Sequence, residues 1–228
     1  MFQETEKGVK AYIETQLFNQ KELDELPFIK ENNEVHISYT IAKAENRNWN
    51  EEWESNFKPV IIGKEIYVRA EYHMPDPTVK YEVVIQPRMA FGTGHHATTS
   101  MMMESMLKID FRNKKVLDMG CGTAILAILA DKMGATSITA IDNDPNAVEN
   151  SFVNCAVNGV KAVSVLLGDA KTPGKDRYDV VLANINRNII VEDIAFYDGN
   201  ILPGGSLLCQ DFISMISNLL LKRLFHWG

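Results

Sequence analysis

From about residue 115 onward, short apolar runs alternate with segments whose apolar residues recur every three or four positions. That alternation predicts βαβ units and a parallel sheet. Five strands are expected, at 115–119 (ending LDM), 137–142 (SITAID), 163–168 (VSVLLG), 178–184 (YDVVLAN) and 205–210 (GSLLCQ). Each is apolar through its middle, as strands covered on both faces must be. The fold class is therefore α/β, a doubly wound and mostly parallel sheet. Between the second and third strands, Asp144 can cap a helix with Pro145 at its first position, and Asn158-Gly159 supplies the stop. Val148, Phe152 and Cys155 or Ala156 recur at helical spacing and are expected to face the sheet.

Upstream the patterns change. Residues 59–90 carry the strand-like runs VII, EIYVRA and YEVVIQ and read as a linker with a lead-in hairpin. Residues 1–58 read as a separate small α/β domain, with a hairpin around Lys7-Gly8, a helix near 20–31 and a strand at 34–43. Val35, Ile37, Tyr39 and Ile41 alternate with polar residues there, and Trp49, Trp53 and Phe57 recur at i, i+4, i+8 as a packing stripe. The remaining span, 91–228, holds the sheet.

The chemistry is expected where the strands end. The first closes on Asp118-Met-Gly120-Cys-Gly122, the second on Asp142, the third is followed by Asp169, and the fourth ends on Asn184. All four would share the carboxyl edge of one sheet, where doubly wound folds bind ligands. Glycines at 120 and 122 let backbone approach a ligand closely. Asp142 follows Gly122 by 20 residues (142 − 122), the separation of a carboxylate that takes ribose hydroxyls. A dinucleotide fingerprint would need glycine where Ile125 stands. An acid beside the turn would repel a diphosphate but favour a sulfonium and an ammonium, so the residues point to S-adenosyl-L-methionine.

Ahead of the sheet, Phe91-Gly-Thr-Gly-His-His runs into a helix with Met102, Met103, Met106 and Leu107 on one face. Thr98 and Thr99 can cap that helix, and Gly92 and Gly94 let the loop fold over a ligand. His95 and His96 lack a third ligand at useful spacing, so no metal site is assigned.

AFGTGHHATTS, KKVLDMGCGTAILAI, IDNDP and VVLANI together resemble the bacterial PrmA family, methyltransferases acting on large-subunit ribosomal protein eleven, over about Phe2 to Leu208. The resemblance implies a class I methyltransferase domain joined by a linker to a substrate-recognition domain. It implies cofactor contacts at Thr99, Gly120, Asp142 and Asn184, a closing loop at Phe91, and methylation of lysine side chains and the terminal amine. Asn184 is then the catalytic candidate. With Asp118, Gly122 and Asp169 from the strand ends, these make the expected cofactor set. Against that pattern the chain looks short at both ends: only the latter part of the recognition domain is expected. The tail after the fifth strand, read as one more apolar helix, would leave that strand an exposed edge and lower stability. Two alternatives stay open, another protein or small-molecule acceptor and a truncated, inactive cofactor-binding protein.

A formal charge of -7 argues against broad nucleic-acid binding and suits a basic protein partner. Cys121, Cys155 and Cys209 show no paired spacing, which fits a reducing cytoplasm. The first residues carry no leader pattern, and the longest apolar run, 124–130, is too short to cross a bilayer.

Overall fold

A chain that winds through successive parallel strands in one direction and then crosses back must leave a crevice where the order reverses. This protein does so in a computed structural model that describes residues 2–5, 8–11, 13, 17–25, 39–42, 57–86, 92, 94–209 and 212–217. The strands are β6 (Lys115–Met119), β7 (Ser137–Asp142), β8 (Val163–Leu167), β9 (Tyr178–Ala183), β10 (Ile201–Cys209) and β11 (Phe212–Ser217). They form one sheet in the order β11-β10-β9-β6-β7-β8, parallel throughout except for β11. The reversal falls between β6 and β9.

Helices cover both faces. α3 (Ile125–Lys132) and α4 (Pro145–Asn158) pack on one, where Val116, Ile128, Ile138, Cys155 and Val180 share a core. α5 (Arg187–Asn200) packs on the other, where Leu117, Ile141, Val181, Ile190 and Tyr197 form a second core. β6 alternates between them, so Val116 and Asp118 point to the α3 side and Leu117 and Met119 to the α5 side.

The 59–90 segment forms a three-stranded sheet, β3 (Val60–Ile62), β4 (Ile66–Arg69) and β5 (Tyr81–Val84), with β3 antiparallel and β5 parallel to β4. Gly63 and Lys64 both take positive φ in the β3–β4 turn, the twist that tight hairpins favour. Ile62, Ile66, Val68, Val83 and Ile85 join the α3-side core together with Met102, Met103 and Met106 of α2 (Ala97–Met106).

The chain divides into two compact units, Met1–Arg47 and Asn48–Gly228. In the first, β1 (Phe2–Thr5) and β2 (Gly8–Ala11) form the expected hairpin, and α1 (Gln20–Asp24) is capped by the Asn19 side chain. The anticipated strand does not extend to 39–42. Those residues take no regular structure, Tyr39 and Ile41 are exposed, and the Tyr39 hydroxyl instead accepts from Gln20 Nε2 at 2.8 Å. Val35, Ile37, Trp49 and Trp53 lie outside the described residues. Phe57 is buried against the rings of His73 and His95.

Two further expectations are corrected. The fifth strand is not a bare edge: β11 pairs with it antiparallel, Leu207 opposite Ile216 and Ser206 opposite Ser217. Phe-Ile-Ser-Met-Ile-Ser fits a short strand as readily as a helix, and the free edge of β10 selects the strand. The α4 helix starts at Asp144 and stops at Gly159 as expected, but Phe152 turns outward, 54% exposed. Its buried stripe is Ala147, Asn150, Ser151, Asn154 and Cys155. The Asn154 amide and the Ser151 hydroxyl bond backbone that the sheet does not reach, whereas Asn150 Nδ2 is buried without a partner among the described residues.

Candidate functional site

Register brings the strand ends level. Met119 pairs with Ile141 on one side and with Ala183 on the other, and Asp142 pairs with Leu167. The residues that follow, Gly120, Asp142, Gly168-Asp169 and Asn184, therefore line one edge. They surround a cavity of about 540 Å³ together with Gly92, His96, Asp118, Gly122, Ile185, Asn186, Ile189 and Asp193. That volume is in the range of small-molecule sites.

The glycine turn is held from beneath and from the side. Gly120 and Cys121 donate their N–H groups to the Ile141 carbonyl at 2.8 and 3.0 Å, tying the turn to β7. Gly120 has φ 67°, and a Cβ there would overlap the Ile185 side chain. Asp142 accepts from Gly122 N–H at 2.9 Å and from Asp144 N–H at 3.0 Å, so its carboxylate is fixed at the cavity wall. Asp118 is buried under the turn and accepts from Ala127 N–H at 3.1 Å. It thereby serves as the cap of α3, whose own N-cap, Ala124, offers no side-chain acceptor and sits in the left-handed region at φ 60°. Burial pushes the Asp118 carboxyl up to about 7, offset in part by the Ala127 bond and reinforced by Asp142.

Asn184 is 8% exposed at the end of β9. Its Nδ2 donates to Thr99 Oγ1 at 3.1 Å, while its buried Oδ1 has no hydrogen-bond partner. A buried amide oxygen left unpaired costs about 1–3 kcal/mol, which marks a place where a donor belongs. Thr99 is fully buried and does not line the cavity, so it reaches the site through Asn184. Asp169 is exposed at the rim, its carboxylate accepting from Lys171 N–H at 2.9 Å. Phe91 lies outside the described residues.

The cap of α2 is His96, not a threonine; its Nδ1 lies 2.7 Å from Thr98 Oγ1, and Thr98 and Thr99 fall inside the first turn. His95 Nε2 meets the Lys58 carbonyl at 2.8 Å. No group of three or more possible metal ligands occurs among the described residues. All three cysteines are buried free thiols.

Sequence reasoning missed the amide column of α4. Asn154 accepts from Gln86 N–H at 2.8 Å and donates to the Thr123 carbonyl at 3.0 Å, while Asn158 accepts from Val84 N–H and donates to the Val84 carbonyl. Thr123 Oγ1 in turn donates to the Gly92 carbonyl at 2.5 Å, and Ser151 donates to the Gly122 carbonyl at 2.8 Å. One helix face thus fixes β5, the glycine turn and Gly92 in a single network. The spacing Asn150, Asn154, Asn158 was the available signal.

Electrostatically the cavity is one-sided. Asp118, Asp142, Asp169 and Asp193 line it, and no lysine or arginine does among the described residues. It suits a ligand with positive charge and repels phosphates.

Known proteins resemble this chain in sequence and in fold. The family model described as ribosomal protein L11 methyltransferase (PrmA) matches residues 2–215. A ribosomal protein L11 methyltransferase of Phocaeicola vulgatus is 45% identical over 213 residues, covering 92% of this chain and 76% of the relative. One of Bacteroides fragilis is 45% identical over 217 residues with the same coverage. The crystal structure of a ribosomal protein L11 methylase from Lactobacillus delbrueckii subsp. bulgaricus superposes with a TM-score of 0.62 at 25% identity, covering 74% of this chain and 85% of that one.

Proposed function

The chain belongs to the ribosomal protein L11 methyltransferase family, and from that premise we propose that it transfers methyl groups from S-adenosylmethionine to lysine side chains and the terminal amine of ribosomal protein L11. The observation that carries the reading is the unpaired Asn184 Oδ1, a buried acceptor at the strand end beside the glycine turn.

The residues present fit the cofactor. Asp142, pinned by two backbone N–H groups, is a ready acceptor for ribose hydroxyls, and the glycines at 120 and 122 leave the turn without Cβ atoms. Asp169 stands at the rim beyond β8, where a base would be held, and the four carboxyl groups of the lining favour a sulfonium. When bound, S-adenosylmethionine supplies an electrophilic methyl carbon on positively charged sulfur.

The chain's own task is to present a neutral amine. Deprotonating an ordinary lysine at pH 7 costs roughly 4–5 kcal/mol, from a gap of about 3.4 pKa units. Closure over the cavity, which Gly92 and His96 line, would exclude water and disfavour the ammonium form. Asn184 Oδ1 would accept one amine N–H, aiming the nitrogen lone pair, with Thr99 holding the amide plane. The buried free thiols suit a reducing cytoplasm, and no described helix is long and apolar enough to cross a membrane.

Calorimetric titration with S-adenosylmethionine tests the cofactor half of this reading. The parent should bind, and Asp142→Ala should bind about 10- to 100-fold more weakly, the loss expected for hydrogen bonds to a charged acceptor. A folded parent that does not bind would overturn it.

A further inference from the structure

Four carboxyl groups line the cavity, and three have local partners. Asp118 caps α3 through Ala127, Asp142 is held by Gly122 and Asp144, and Asp169 takes the Lys171 N–H. Asp193 has neither a hydrogen bond nor an ion pair among the described residues. It lies on α5, which follows β9, and lines the same cavity as Asn184, within electrostatic reach of Asp169 and Lys171 beyond β8. Asn186, Ile189 and Asp193, spaced by three and four, are the residues of that helix that line the cavity.

We propose that Asp193, with Ile189 beside it, is the acceptor-recognition subsite: the carboxylate receives the ammonium of an incoming lysine, and the exposed Ile189 side chain covers its aliphatic stem. The inference rests on the methyltransferase reading above. The independent observation is the buried, unpartnered Asn184 Oδ1 in the same cavity, which a donor on a bound ligand would satisfy. An ammonium on a four-carbon stem meets both demands, since it can release its proton to solvent water and exchange the carboxylate for a neutral acceptor.

The charges around Asp193 agree. Burial raises its pKa, Glu192 and Asp169 add to that effect, and Lys171 opposes them without reaching ion-pair distance. Lys171 instead lies 5.9 Å from the Phe196 ring centroid. A carboxylate flanked by two others gains most from a mobile cation. Asp193 forms no three-ligand cluster that would hold a metal.

The test is steady-state transfer of labelled methyl from S-adenosylmethionine to purified ribosomal protein L11, with calorimetric affinity for the cofactor alongside. Asp193→Asn should raise KM for the ribosomal protein about tenfold, the loss of one charge-assisted contact, with kcat and cofactor affinity little changed. Asp193→Glu should recover most of it, and Asp193→Lys should raise KM further. An unchanged KM in Asp193→Asn, or a parallel fall in cofactor affinity, would overturn the assignment. A wild-type chain that binds cofactor but never labels the ribosomal protein would overturn the acceptor reading and this subsite with it, a result distinct from a variant that behaves like the wild type.

Discussion

The two sides of the crevice are finished to different degrees. On the β6–β7 side the glycine turn gives two N–H groups to Ile141, Asp142 is gripped twice, Asp118 caps α3, and Ser151 and Asn154 bond the turn's carbonyls. On the β9–α5 side Asn184 keeps an unpaired oxygen, and Asp193 has no hydrogen bond or ion pair among the described residues. A satisfied wall costs nothing to reorganise when a ligand arrives, whereas an unsatisfied one is completed by the ligand. In the proposed function the first wall holds the cofactor and the second the group being methylated.

The sharpest way to break this comparison is Asn184→Ala. It should lower kcat about 10²–10³-fold, the usual loss for one positioned hydrogen-bonding group, while circular dichroism and cofactor titration show a folded protein that still binds. Retained turnover would leave the second wall without a role.

Asp118→Asn tests the first wall. Its folded pKa of about 7 lies above the ordinary 3.8, so the folded state holds the proton more tightly than the unfolded one. Its stabilising contribution is therefore fully present below about pH 4, is lost as pH rises to about 7, and stays lost above. Urea unfolding without cofactor should find the variant close to the parent at pH 4 and roughly 2–4 kcal/mol more stable at pH 8. A gap that does not open with pH would show that this carboxyl titrates normally.

The smallest effect concerns Ala124, a left-handed residue with a Cβ. Ala124→Gly should stabilise by about 0.5–1 kcal/mol, the relief of that strain minus the chain entropy of glycine, readable as a higher midpoint in the same unfolding curves.

Strand ends were legible in the sequence because they are local. An apolar run stopped by Asp118, Asp142 or Asn184 announces both the strand and the polar edge, and the parallel register that levels them follows from the βαβ pattern. Asp144-Pro145 and Gly159 announced a helix for the same reason. What stayed hidden is tertiary. The inward turn of Asn154 and the outward turn of Phe152 depend on backbone at Gln86 and Thr123, more than 30 positions away. The role of Asp118 as a cap for α3 could not be read from its place beside the turn. β11 was missed because its choice of strand over helix is made by β10, not by its own six residues.

The most direct test of the central claim is incubation of the purified chain with methyl-labelled S-adenosylmethionine and purified ribosomal protein L11, followed by mass analysis of the modified residues. Label on lysine side chains and the terminal amine, absent with Asn184→Ala, is the result predicted here; a folded, cofactor-binding chain that leaves the ribosomal protein unlabelled would contradict it.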